Sequence, residues 1–125
     1  MPTVLVVDDT PSIRFLIRMN LELAGIDVIE AEDGQDCLTQ LETLDPLPDL
    51  ITIDMVMPRV DGISAIAAMR ADERLDQIPI IMVSTQGQQI DLNRAKVAGA
   101  DEYIIKPFDP DHLVTTVQRL INSRR

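Results

Sequence analysis

Two patterns alternate along this chain: short continuous apolar runs, and longer stretches in which apolar residues return every three or four positions. The first is the pattern of strands buried on both faces, the second that of helices with one buried face. Thr3 to Val7, a β-branched run, reads as a strand. Pro11 then stands where a first helical turn tolerates it, with Thr10 or Asp9 as the cap. Ile13, Leu16, Ile17, Leu21 and Ala24 keep helical spacing up to a stop at Gly25. Val28-Ile29 is a short second strand. Asp33-Gly34 opens a second helix with Cys37, Leu38, Leu41 and Leu44 on its apolar face, ended by Pro46 and Pro48.

The third strand runs from Leu50 to Ile53, and after Met57-Pro58 the Asp61-Gly62 pair introduces a helix carrying Ile63, Ile66 and Met69. Pro79 marks the entry to a fourth strand, Ile80 to Val83. The helix after it, from about Gln88 to Ala98, ends at Gly99, a candidate for the left-handed C-terminal position. Tyr103-Ile104-Ile105 is the last strand. A last helix, from about Asp109, puts Leu113, Val114, Val117, Leu120 and Ile121 on one face. Strands and helices alternating five times specify an α/β fold, with a mainly parallel sheet covered on both faces. No linker, repeat or low-complexity stretch breaks the series, so residues 1–125 read as a single domain.

Composition narrows the function. With 46% hydrophobic and 26% charged residues the chain has the make-up of a folded domain, and 125 residues can bury a core without disulfide or metal staples. The net charge of −10 argues against duplex nucleic acid as a partner, because phosphate contacts need clustered Lys and Arg. The Arg124-Arg125 pair is too short to form such a cluster. Cys37 is the only cysteine, so no intramolecular disulfide is possible and a reducing compartment fits best. Its place beside Leu38 and Leu41 makes it a small buried hydrophobe rather than a reactive thiol. The apolar runs are too short to span a bilayer and no export signal opens the chain; the expectation is a cytoplasmic domain without a membrane partner.

The chemistry gathers at the strand ends. Asp8 and Asp9 follow the first strand, Asp54 the third, Ser84 the fourth and Lys106 the fifth. In an open parallel α/β sheet the strand C-termini share one edge, and ligands bind in the crevice there. A single Asp after a strand is commonly a helix cap. Two in succession, with a third on a neighbouring strand, form instead the oxygen-donor set that a hard cation such as Mg²⁺ takes together with a phosphate. Asp54 is the candidate nucleophile, since a carboxylate can form a covalent phosphoryl intermediate. Lys106 supplies a cation opposite the metal and Ser84 a hydroxyl for a phosphoryl oxygen.

Val6-Val7-Asp8-Asp9, Ala31-Glu32-Asp33-Gly34, Asp54-Met55-Val56-Met57-Pro58 with Asp61-Gly62, Val83-Ser84, Ala98-Gly99-Ala100 and Lys106-Pro107-Phe108 stand in one order and spacing. Through them the chain resembles, nearly end to end, the receiver domain of bacterial two-component response regulators, in particular single-domain chemotaxis-type members. The resemblance implies a flavodoxin-like (βα)5 fold with sheet order 2-1-3-4-5. It implies phosphorylation of Asp54 by a histidine kinase, with Mg²⁺ held by Asp9, Asp54 and the Val56 backbone carbonyl and by Asp8 largely through water. Ser84 and Lys106 would bind the phosphoryl oxygens, and a cis Lys106-Pro107 bond would set the lysine at the pocket. Ser84 and Tyr103 would act as the switch, passing the change to the surface of helix four, strand five and helix five, where an effector protein binds.

On helix one, Phe15, Met19 and Leu23 recur every four residues outside the main stripe. They mark either a broad core or, with Phe108, the docking face that the resemblance implies for the phosphodonor. Val56 is apolar where many relatives carry a polar residue that helps orient the hydrolytic water, and with Gln86 as the remaining candidate for that role slow self-dephosphorylation is expected. A phosphorelay intermediate or phosphate sink, passing phosphate to a histidine phosphotransfer protein, is the alternative within the family. An aspartate-nucleophile phosphatase is disfavoured because its general acid would fall at Val56. A flavin carrier is disfavoured by an aromatic content of 2%. A receiver-like scaffold that is never phosphorylated would be expected to lack a pocket residue, and none is missing.

Overall fold

The computed structural model describes residues 1–123; the Arg124-Arg125 pair lies outside the described residues. Ten elements follow in strict alternation: β1 (Thr3–Val7), α1 (Pro11–Leu23), β2 (Asp27–Ala31), α2 (Gly34–Thr43), β3 (Leu50–Ile53), α3 (Gly62–Arg70), β4 (Ile80–Ser84), α4 (Gln89–Ala98), β5 (Glu102–Ile105) and α5 (Pro110–Ser123). The strands form one sheet in the order β2-β1-β3-β4-β5, every neighbouring pair parallel. This is the expected doubly wound, flavodoxin-like arrangement.

Side-chain alternation along the strands divides the core in two. Val4, Val6, Leu50, Ile81 and Val83 face one way, against Ile17 and Leu21 of α1 and Leu113, Val117 and Ile121 of α5. Leu5, Val7, Ile51, Ile53, Ile80 and Met82 face the other, against Cys37 and Leu41 of α2, Ala65, Ile66 and Met69 of α3 and Ala95 of α4. Both faces are covered, which is why the strand sequences are continuous apolar runs.

Three details depart from the sequence reading. β2 is longer than Val28-Ile29: Asp27 to Ala31 pair in register with Thr3 to Val7. It is an edge strand, and Asp27 and Glu30 interrupt its apolar pattern because one of its sides is open to solvent. Ser84 is the last residue of β4, paired with Ile105, rather than the residue after it. The start of α1 has no side-chain cap at Thr10; instead an Asp8 carboxylate oxygen accepts the Thr10 N–H at 2.9 Å. Gly99 ends α4 at positive φ, as expected. Among the described residues, no helix is long and apolar enough to cross a membrane.

Two buried groups give tests of this core. Thr52, on β3 within the α1/α5 face, holds among the described residues the one buried side-chain oxygen with no hydrogen-bond partner. Thr52→Val removes that orphan and is expected to raise stability by about 1 kcal/mol, read as a shift of the urea midpoint at constant slope. The Cys37 thiol is fully buried, and burial pushes its pKa up to about 12. A thiol reagent at pH 8 is therefore expected to label Cys37 in urea but not in the native protein, as measured by intact mass.

Candidate functional site

Residues that follow β1, β3 and β5 meet at the C-terminal edge of the sheet. The buried Asp8 and the exposed Asp9 follow β1, and Asp54 follows β3, its neighbour. Carboxylate oxygens of Asp8, Asp9 and Asp54 lie within 4.8 Å of one another. From the loop after β5, the Lys106 Nζ donates to Asp8 Oδ2 at 2.7 Å and to Asp54 Oδ2 at 3.2 Å. The Lys106-Pro107 peptide is cis, as expected; a second cis bond, Asp45-Pro46, was not foreseen.

Burial dominates the electrostatics. Asp8 is 1% exposed, and desolvation raises its carboxyl above the ordinary value although the Lys106 ammonium works in the opposite direction. Desolvation also presses the Lys106 ammonium downward, but its bonds to Asp8 and Asp54 outweigh this and leave it raised. Burial works against both charges, and their mutual contact works in favour of both. The donor set is oxygen only, with the thiol of Cys37 in the core and His112 away on α5. That chemistry fits a hard divalent cation and not a soft or borderline one.

Ser84 is buried, and its hydroxyl oxygen accepts the Gln86 N–H at 3.2 Å. Tyr103, half-buried on β5, donates its hydroxyl to the Gln86 carbonyl, and burial raises its pKa. Ser84 and Tyr103 therefore share one partner residue in the β4–α4 loop. Tyr103 also lines, with Leu92, Lys96 and Glu102 among others, a cavity of about 350 Å³ between α4 and β5. Phe15 and Leu23 are 62% and 82% exposed, so that flank of α1 is a surface patch and not a broad core, while Phe108 packs half-buried against the α1/α5 core. Val56 is exposed and its neighbours Met55 and Met57 are buried.

Several supporting residues carry no signal in the sequence reading. Arg14 on α1 donates to the Asp8 carbonyl at 2.6 Å and to Glu30 at 3.0 Å, tying the β1–α1 loop to the end of β2. Gly62, read as part of a helix start and of the family's fragments but not as a contact, passes so close to Asp54 that a Cβ there would lie 2.2 Å from the Asp54 carbonyl oxygen. Asp33 does cap α2, accepting the Asp36 N–H at 2.8 Å, but it also receives both arms of Arg59, at 2.7 and 2.9 Å. That ion pair lowers the Asp33 pKa. A salt bridge between two loops has no periodicity, so only the coordinates reveal it.

Comparison with known proteins gives a consistent set of relatives. A family model described as response regulator receiver domain matches residues 4–118. The DNA-binding dual master transcriptional regulator RpaA of Synechocystis is 40% identical over 97% of this chain and 49% of its own length. The chain spans about half the length of the curated relatives it matches. Among solved structures, the Francisella response regulator 1452 receiver domain superposes with a TM-score of 0.92 at 33% identity, over 100% of both chains. The receiver domain of sensor histidine kinase PA1611 from Pseudomonas aeruginosa, solved with a magnesium ion coordinated in its active site cleft, gives a TM-score of 0.88 at 30% identity, covering 97% of this chain and 98% of that one.

The Lys106 contact can be tested without any ligand. In cation-free buffer at pH 7, Lys106→Met is expected to cost about 3 kcal/mol, because it leaves the buried Asp8 charge without a partner. In an Asp8→Asn background the same substitution should cost less than half as much, by urea denaturation. The penalty should shrink as pH falls, since a protonated Asp8 needs no cation.

Proposed function

The chain belongs to the response regulator receiver domain family, and on that premise we propose that Asp54 accepts a phosphoryl group from a phosphohistidine in a Mg²⁺-dependent reaction. The observation that carries this reading is the Lys106 ammonium held between Asp8 and Asp54, beside three converging carboxylates. The donor is a histidine kinase or a histidine phosphotransfer protein.

An Asp54 oxygen attacks phosphorus, the P–N bond breaks, and the histidine nitrogen leaves with the electron pair. Positioning and charge neutralisation govern such a transfer. Lys106, already paired with the Asp54 carboxylate, is placed to keep its charge on the new phosphoryl oxygens. The Ser84 oxygen accepts a hydrogen bond from Gln86, which leaves its own proton to be donated to a phosphoryl oxygen. Asp8, Asp9, Asp54 and the Val56 carbonyl would hold Mg²⁺, whose contribution when bound is to offset phosphoryl charge. No general acid stands two residues beyond Asp54, where Val56 is found, so the domain signals rather than turning over substrate.

The phosphoryl group adds about −1.5 to −2 charges at Asp54. Drawing Ser84 toward it disturbs Gln86, and with Gln86 the hydrogen bond of Tyr103. The change reaches the surface of α4, β5 and α5, where an effector protein would read it. Phe15, Met19 and Leu23 on α1, with Phe108 beyond β5, suit docking of the phosphodonor. With the apolar Val56 exposed, a hydrolytic water would be oriented from the other side by Gln86, which favours a slow loss of phosphate.

The test uses Mg²⁺ with acetyl phosphate, comparing wild type with Asp54→Asn by intact mass. Wild type should gain one phosphoryl mass, dependent on Mg²⁺, and Asp54→Asn should gain none. Equal modification of both proteins would move the acceptor elsewhere, and no modification of wild type would sink the proposal.

A further inference from the structure

Arg59 holds a backbone conformation that side-chain-bearing residues avoid, and the chemistry above makes no use of it. Its φ is +66°, the one positive value outside glycine among the described residues. The Val60 N–H donates to the Pro58 carbonyl at 2.8 Å, closing a three-residue turn centred on Arg59. A turn of this hand at a non-glycine residue is rare and strained. Such strain persists where the surroundings over-determine it, and it gathers at functional sites.

The surroundings here are specific. Arg59 grips the Asp33 carboxylate with two nitrogens, at 2.7 and 2.9 Å, and that carboxylate is almost wholly buried at the start of α2. Next to it, a Cβ on Gly34 would lie 2.1 Å from the Val60 carbonyl oxygen, so the loop tip is pressed against the helix start. At its other end the loop returns to its origin: the Gly62 N–H donates to the Met55 carbonyl at 2.8 Å. The segment from Asp54 to Gly62 is therefore pinned at both ends, and its first residue is the candidate acceptor.

Water reaches the guanidinium end of the pair, since Arg59 is about half exposed, so its contribution to stability is modest. A two-pronged guanidinium–carboxylate contact fixes orientation instead, which a lysine cannot reproduce. We propose that Arg59 and Asp33 form a positioning brace that holds the β3–α3 loop in the shape in which the site takes up Mg²⁺. The brace rests on the reading of Asp8, Asp9 and Asp54 as a cation site. Arg59 itself touches no reacting atom; it acts through the loop backbone that begins at Asp54.

The experiment is a titration with MgCl2 alone, followed by backbone-amide NMR, on wild type, Arg59→Gly and Arg59→Lys. Glycine tolerates the positive φ, so Arg59→Gly removes the brace without adding strain. It is expected to weaken Mg²⁺ about tenfold, the low end for residues that orient metal ligands, with Arg59→Lys in between. The thermal midpoint in EDTA should fall modestly in Arg59→Gly, which leaves the nearly buried Asp33 carboxylate unpaired, and move little in Asp33→Asn, which leaves no buried charge. Asp33→Asn, which keeps an oxygen for the α2 cap, should lose affinity likewise and serves if the glycine variant folds poorly. Unchanged affinity in Arg59→Gly and Asp33→Asn would overturn the brace while leaving the cation site standing. A loss of affinity in Asp33→Asn matched by general destabilisation in EDTA would reduce the pair to a structural tie and also overturn it. A wild type that binds no Mg²⁺ would remove the cation site itself, and the brace with it.

Discussion

Carboxylates gathered at one sheet edge repel one another unless a cation stands among them, and the Lys106 ammonium meets that constraint here. It reaches Asp8 and Asp54, which end two adjacent strands, from a loop beyond the fifth. Its own placement follows from the sheet. The Lys106 N–H donates to the Ser84 carbonyl at 2.9 Å, continuing the pairing of β5 with β4. Two residues on, Phe108 is packed against the α1/α5 core. The lysine thus projects from a stretch of backbone fastened on both sides, and Asp8 can be buried because that projection is reliable.

Around this centre, arginines hold the loops from outside. Arg14 ties the Asp8 carbonyl to Glu30, and Arg18 reaches the same glutamate at 2.7 Å. Arg59 ties the β3–α3 loop to Asp33. Both ties end in the segment from Glu30 to Asp33, where the edge strand β2 passes into α2. β2 contributes nothing to the acidic cluster, yet the two loops that frame the cluster are anchored on its end. An edge strand that needs charges to discourage unwanted pairing has turned them to a second use.

The difference between what the sequence tells and what it hides has a physical origin. Strands buried on both faces are written as unbroken apolar runs, so β1, β3 and β4 could be read almost to the residue. β2 could not, because solvent on one side lets Asp27 and Glu30 into the pattern. Asp8, Asp9, Asp54 and Lys106 were legible because parallel strands bring their ends together whatever lies between. Ser84 and Tyr103 were legible as positions, but their common partner is the backbone of Gln86, which no side-chain pattern encodes. Arg14 and Arg59 look like surface charges in the sequence. Their partners are set by how helices and loops pack, and glycine at positions 34 and 62 matters for the close approaches it permits rather than for any turn signal.

The parallel order β2-β1-β3-β4-β5 also bears on how the domain comes into being. With every connection a crossover, no two strands can pair as a hairpin, and each pairing waits for a distant part of the chain. The contact between Lys106 and Asp8 spans 98 positions. A nascent chain still missing β5 therefore has the carboxylates but not the cation that lets them coexist. The charge balance of the acidic cluster is therefore completed only when the last strand docks, which makes it one of the latest features the fold acquires.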